Sequence, residues 1–210
     1  MNLLIIGASG GTGKELVHQA LEQGHSVKAF VRDPDSVKLK HERLTIVQGN
    51  VLDYPSVERA MEGTDAVLSA LGHKRWLIPT SILSEGTRNI IAAMKKQKVN
   101  RFICETSLGV GDSRGKLGLY YTLFVIPFIT FFYFRDKKRQ EQLIKESGLD
   151  WIIVRPGQLT NGKKRATYRH GTELGNYFLT PSISRADTAD FMLKQLNNDT
   201  YLHKAPAVVY

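Results

Sequence analysis

The stretch "LLIIGASGGTGKEL", residues 3–16, constrains the fold more than any other part of the chain. An apolar run with no polar alternation enters a loop holding Gly7, Gly10, Gly11 and Gly13, and a helix-forming segment follows at once. Glycines so spaced let the backbone turn tightly and approach a ligand closely. The helix that starts there offers unpaired N–H groups at its positive dipole end. A strand–loop–helix unit of this kind predicts a parallel sheet and a cradle for a pyrophosphate. Ser9 and Thr12 add hydroxyl donors, so the expected phosphate set is Gly7, Ser9, Gly10, Gly11, Thr12 and Gly13. A tight turn without a ligand would not account for spaced glycines accompanied by two hydroxyls.

The rest of the chain repeats the alternation. Short apolar runs at 3–6, 27–31, 45–47, 66–71, 102–104 and 151–154 read as strands, and 13–23, 55–61, 82–98 and 135–146 read as helices. Strands apolar on both faces belong to a parallel sheet covered by helices on either side. The pattern predicts a doubly wound α/β sheet, the Rossmann arrangement, as one domain over residues 1–210, since no Pro/Gly/Ser-rich linker divides it. Ser184 three residues before Asp187 reads as a helix-capping pair, and Gly148 as a helix C-cap. The formal charge of +9 suits an anionic ligand. No zinc-finger or aromatic RNA-binding signature accompanies it, so no nucleic-acid partner is expected. The six histidines lack metal-ligand spacing, so no metal is expected. Cys104, the only cysteine, excludes an intramolecular disulfide and reads as a buried thiol. "MNLLII" runs straight into the glycine loop without a signal-peptide pattern, which makes the cytoplasm the expected compartment.

Cofactor choice in such a fold is set where the second strand ends: a carboxylate there takes the ribose 2′-hydroxyl, an arginine the 2′-phosphate. The sequence reads "AFVRDPDS", with Arg32 first after the apolar run, which favours NADP(H); Asp33, one residue on, would favour NAD(H). After the third strand, Asn50 and Val51 are expected at the adenine, an amide for its edge and an aliphatic side chain for its face. Asp53 reads alternatively as a cap for the helix near Pro55. Gly72, past the fourth strand, is expected to let the backbone approach the cofactor.

"GASGGTG", "VRDP", "GNVLD", "AVLSALG", "LSEGTRNIIAAMKKQKVNRFICETS" and "SGLDWIIVRPG" resemble the atypical short-chain dehydrogenase/reductases of the NAD(P)H-binding, NmrA-like kind. Within that family the nearest likeness is to the subgroup of flavin and biliverdin reductases. The likeness runs from residue 1 to about 160 and returns at "ISRADTADFML". It implies NADPH-dependent hydride transfer to a planar conjugated acceptor such as a flavin, tetrapyrrole or quinone. By position it implies that Leu83, Thr106 and Ser107 border the nicotinamide and that Pro156 lies near its carboxamide. The substrate side departs from the subgroup. Gly157 stands where a histidine is usual, Lys74 with Arg75 where one arginine is usual, and Pro181 where another is. Substrate-side elements are therefore expected from about 110–135 and 157–185, with biliverdin itself disfavoured.

Classical short-chain dehydrogenases use a serine with a Tyr-x-x-x-Lys pair, and four residues on a helix place both side chains on one face. Ser107, Tyr133 and Lys137 fit as a candidate catalytic set. Flavin reduction does not require the pair. Two other functions stay open on sequence: a non-catalytic NADP(H)-binding regulator of NmrA type, and a carbonyl or sugar reductase or epimerase using Tyr133. Finally, residues 117–134 are 18 uncharged positions, eight of them aromatic. The length is marginal for a membrane span. Pro127 in its middle predicts two short segments meeting there, partly core and partly a cover over the substrate side. A peripheral membrane contact or a homodimer interface is compatible with the same run, so the expected state is monomer or homodimer.

Overall fold

The structure, a computed structural model, describes residues 1–73 and 77–210. Lys74 and Arg75, noted above on the substrate side, lie outside the described residues. Strands β1 (Asn2–Ile6), β2 (Ser26–Val31), β3 (Leu44–Gln48), β4 (Ala66–Ser69), β5 (Arg101–Glu105) and β6 (Asp150–Pro156) alternate with helices α1 (Gly11–Glu22), α2 (Tyr54–Met61), α3 (Ile82–Gln97) and α4 (Phe131–Lys145). Short strands β7 (Gln158–Thr160), β8 (Arg169–Gly171) and β9 (Ser182–Ser184), helix α5 (Arg185–Lys194) and strand β10 (Ala207–Val209) follow.

The main sheet has eight strands in the order β3-β2-β1-β4-β5-β6-β10-β8, parallel throughout except for the antiparallel β10–β8 edge; β7 and β9 pair apart from it. This is the doubly wound sheet that the alternation predicts. The unbroken apolar strands have a direct cause: successive side chains serve opposite cores. Leu3 and Ile5 pack with α1 and α5, while Leu4 and Ile6 pack with α2 and α3. The order reverses between β1 and β4, which places the ligand crevice of such a sheet at their C-terminal ends.

Three features differ from the sequence reading. β4 stops at Ser69 rather than 71, with the Ala70 carbonyl packed against Gly7. The four short strands after β6 were not foreseen, as none reaches the length at which alternation can be read. The aromatic run does break, but at Thr130 rather than at Pro127. Residues Tyr121–Ile129 form a π-helix that contains Pro127, and α4 begins at Phe131. The wider turn tolerates the missing N–H of proline; Thr130 N donates to Val125 O, five residues back, at 2.9 Å. No residue of Tyr121–Ile129 is buried, so the core share expected of the run falls to Leu117, with Phe134 and Tyr121 partly buried against it. Among the described residues no helix is long and apolar enough to cross a membrane.

Candidate active site

The glycine loop turns at the end of β1 with Gly7 in the left-handed region, φ 78°, pressed against the carbonyl of Ala70 at the end of β4. A Cβ on Gly13 would collide with the Gly7 carbonyl, so that glycine is required for the loop to close on itself. Gly10 caps α1 without a side-chain hydrogen bond, and the amides of Gly11, Thr12 and Gly13 have no partner among the described residues. Three orphan N–H groups at the positive end of a 12-residue helix form a cradle for an anion. Ser9 is exposed beside it. The Thr12 hydroxyl is not: it is buried and donates to Glu105 Oε1 at 3.2 Å, so only its amide is free for a phosphate.

Sequence reasoning missed Arg185, the first residue of α5. Its side chain lies across Gly11, where any Cβ would strike it, and its Nη1 donates to Asn161 Oδ1 at 2.6 Å. A guanidinium at the positive end of a helix is unfavourable by itself and becomes favourable when an anion lies between the two.

At the end of β2 the two rival side chains have separate jobs. The Asp33 carboxylate accepts from Asp35 N at 3.0 Å and caps a 3-10 turn, Pro34–Ser36, whereas the Arg32 guanidinium is exposed and has no partner among the described residues. Beyond β3, Asn50 is exposed and Val51 buried. Asn50 Oδ1 accepts from Leu52 N at 3.1 Å, which leaves the amide NH2 outward. Val51 packs into the core next to Gly86, and so offers little face to a ring. Asp53 caps α2 through Ser56 N at 3.2 Å.

Across the crevice, α4 brings Tyr133 and Lys137 to one face. The Tyr133 hydroxyl stands over exposed Gly72, 3.6 Å from where a Cβ would sit, and its ring meets His73 edge-on at 4.9 Å. Lys137 is buried; its Nζ lies 5.1 Å from the Tyr133 ring centroid and donates to Thr106 O at 3.0 Å. Burial alone would lower its pKa, but the Tyr133 phenol and the Glu105 carboxylate outweigh it and hold the ammonium charged. Glu105 itself is raised by desolvation, which Lys137, Thr12 and Arg185 offset only in part. Ser107 is half-buried two residues past β5, and its hydroxyl donates to Leu108 O at 3.0 Å.

Two positions implied by resemblance are buried in the structure. Leu83 is fully buried, because Asp136 of α4 accepts from the amides of Leu83 and Ser84 and draws the first turn of α3 inward. Pro156 is buried as well, its carbonyl accepting from Leu108 N at 3.0 Å. Thr106 contributes through its backbone, since its hydroxyl donates to Glu141 Oε1 at 2.7 Å. Glu141 in turn grips Arg155 in a bidentate pair, at 3.0 and 2.6 Å, and Asp112 Oδ1 closes the network at 2.7 Å. A charged residue inside the apolar strand "DWIIVRP" was the available signal: so placed, Arg155 had to be paired.

The sequence model of the NAD(P)H-binding family matches residues 7–199. The chain belongs to that family. An uncharacterised chloroplastic protein of Arabidopsis thaliana is 33% identical over 172 residues, covering 76% of this chain and 59% of its own. Cinnamoyl-CoA reductase 1 of Petunia hybrida is 31% identical over 117 residues, 50% of this chain and 34% of its own. The chain thus spans between a third and three-fifths of the length of these relatives. Among solved structures, the anaerobilin reductase ChuY of Escherichia coli O157:H7 superposes with a TM-score of 0.82 at 23% identity, covering all of this chain and 97% of its own. The oxidoreductase ylbE of Lactococcus lactis does so with 0.84 at 20%, covering all of this chain and 90% of its own. Both share the Rossmann fold seen here. The orphan amides, the glycine cradle and the cation above it fit the dinucleotide that the family binds.

Proposed function

We propose that this protein is an NADPH-dependent reductase that delivers hydride to a planar conjugated acceptor, of which a quinone suits the site better than a flavin or a tetrapyrrole. The observation that carries this reading is the Tyr133 hydroxyl over Gly72 with the buried Lys137 beneath its ring. Bound NADPH supplies the hydride. The α1 amides with Gly7, Ser9, Gly10, Gly11 and Gly13 hold its pyrophosphate, Arg32 its 2′-phosphate, and Asn50 the adenine edge. Tyr133 donates the proton that the carbonyl oxygen of a quinone needs as the ring accepts hydride. The fixed ammonium of Lys137 compensates the charge left on the phenol oxygen. Ser107 orients the accepting oxygen once its hydroxyl turns from Leu108. The segments near 110–135 and 157–185 enclose the acceptor.

The test is NADPH oxidation with a water-soluble quinone, FMN and a linear tetrapyrrole as acceptors. Turnover with the quinone, lost by at least about 100-fold in Tyr133→Phe with NADPH affinity kept, is the expected outcome. Full activity in that variant would sink the proton-donor role and leave simple hydride transfer to a flavin. Tight NADPH binding without oxidation of any acceptor would mark a cofactor-sensing regulator instead. Arg32→Ala is expected to weaken NADPH and spare NADH; equal losses would place the 2′-phosphate elsewhere.

A further inference from the structure

The π-helix Tyr121–Ile129 presents almost nothing but hydrocarbon to solvent. Tyr120, Leu123, Phe124 and Phe128 are 54% to 74% exposed, and Phe178 and Leu179 join them at 75% and 72%. The two segments form one surface. Leu119 N donates to Phe178 O at 3.3 Å, and Leu117 bridges to Asn176. The Asn176 side-chain oxygen accepts from the amides of both Phe178 and Leu179, at 2.8 and 2.9 Å, which fixes the turn that carries these two side chains outward. An exposed apolar patch held by its own hydrogen bonds marks an interaction surface.

Its borders indicate the partner. Arg135, Lys138 and Arg139 follow on the first turns of α4, exposed and without an ion-pair partner among the described residues. Arg135 and Arg139 line a shallow pocket together with Phe132 and Asp136, whose buried carboxylate is taken by the amides of Leu83 and Ser84, so the cations begin where the rings end. Glu173, the carboxylate beside the patch, is already engaged by Lys116 at 3.1 Å. A twofold pairing of this face with a second copy would bring the unpaired cations of α4 toward each other. Anionic lipid headgroups would satisfy them, while the rings enter the acyl boundary. We infer that residues 119–131 and 177–179 form a peripheral docking face for an anionic lipid bilayer, with Arg135, Lys138 and Arg139 on its phosphates.

The inference concerns adsorption and needs no turnover, so it stands or falls apart from the reductase reading. Flotation with vesicles of phosphatidylcholine, alone or mixed in equal parts with phosphatidylglycerol, measures it directly. Binding to the mixed vesicles is expected, weakened but not abolished by high salt, and reduced about tenfold or more in Phe124→Ser/Phe128→Ser. The triple change Arg135→Gln/Lys138→Gln/Arg139→Gln should remove the preference for anionic lipid. Retained NADPH binding certifies that each variant is folded. Phe124→Trp gives an independent readout, because its fluorescence should be quenched by lipids brominated in the acyl chain. No binding of the native protein to mixed vesicles, or no quenching of that tryptophan, would overturn the inference. So would a dimer in solution that the double serine variant converts to monomer.

Discussion

Arg185 and Gly11 show how much of this site rests on single side chains. The Arg185 guanidinium, held by Asn161, lies over Gly11 and above amides that await an anion. Its contact should therefore be with the pyrophosphate, which NADH and NADPH share. Arg185→Gln is expected to weaken both cofactors alike, by about 10- to 100-fold, the range of a lost charge-assisted hydrogen bond. Fluorescence titration checks this, and the contrast with Arg32→Ala, selective for NADPH, separates the two arginines. At this scale the sequence was readable where a residue's job follows from backbone geometry, as at Gly7 and Gly13. It was not where the job depends on a partner far along the chain. Thr12 looks like a phosphate donor until Glu105, 93 residues on, takes its hydroxyl. Arg185 looks like the first turn of a helix until α5 is laid against α1.

Among the elements, α4 bears most of the site. One face carries Tyr133 and Lys137 to the crevice, and one turn further Glu141 anchors the strand behind it. Glu141 and Arg155 are 3% and 1% exposed, so loss of Glu141 leaves a desolvated guanidinium with Asp112 as its one remaining carboxylate partner among the described residues. Glu141→Ala is expected to cost about 3–5 kcal/mol, read by denaturant unfolding, and to loosen Thr106 and with it Lys137. The start of α5 gives the acid response. Burial works to raise the Asp187 carboxyl, but hydrogen bonds from Tyr210, the Ala166 amide, Ser184 and the Arg165 amide outweigh it and hold it below the usual range. Its unfolded form takes up a proton at higher pH than the folded one does. The stability it contributes is therefore complete above about pH 4 and fades as pH falls through the lowered native value. Melting temperature followed from pH 7 downward should drop below about pH 4, and more gently in Tyr210→Phe, which removes one of those donors.

For the whole molecule, alternation of apolar strands with helices was enough to read the parallel sheet, because each strand feeds two cores at once. The C-terminal third was harder. β7, β8, β9 and β10 are three residues each and owe their pairing to neighbours distant in sequence. The sheet also holds a reporter of its own. Cys104 is the fourth of the five residues of β5, wholly buried, with Gln140 Nε2 3.6 Å from its sulfur; burial pushes the thiol up to about 12. Such a sulfur does not react with alkylating reagents while the strands stay closed. The chain has no other thiol, so its rate of modification counts openings of the central sheet, one event per molecule, without any added label. Saturation with NADPH should slow that clock in proportion to the cofactor's affinity, and binding could be timed by mass spectrometry without following the chemistry at all.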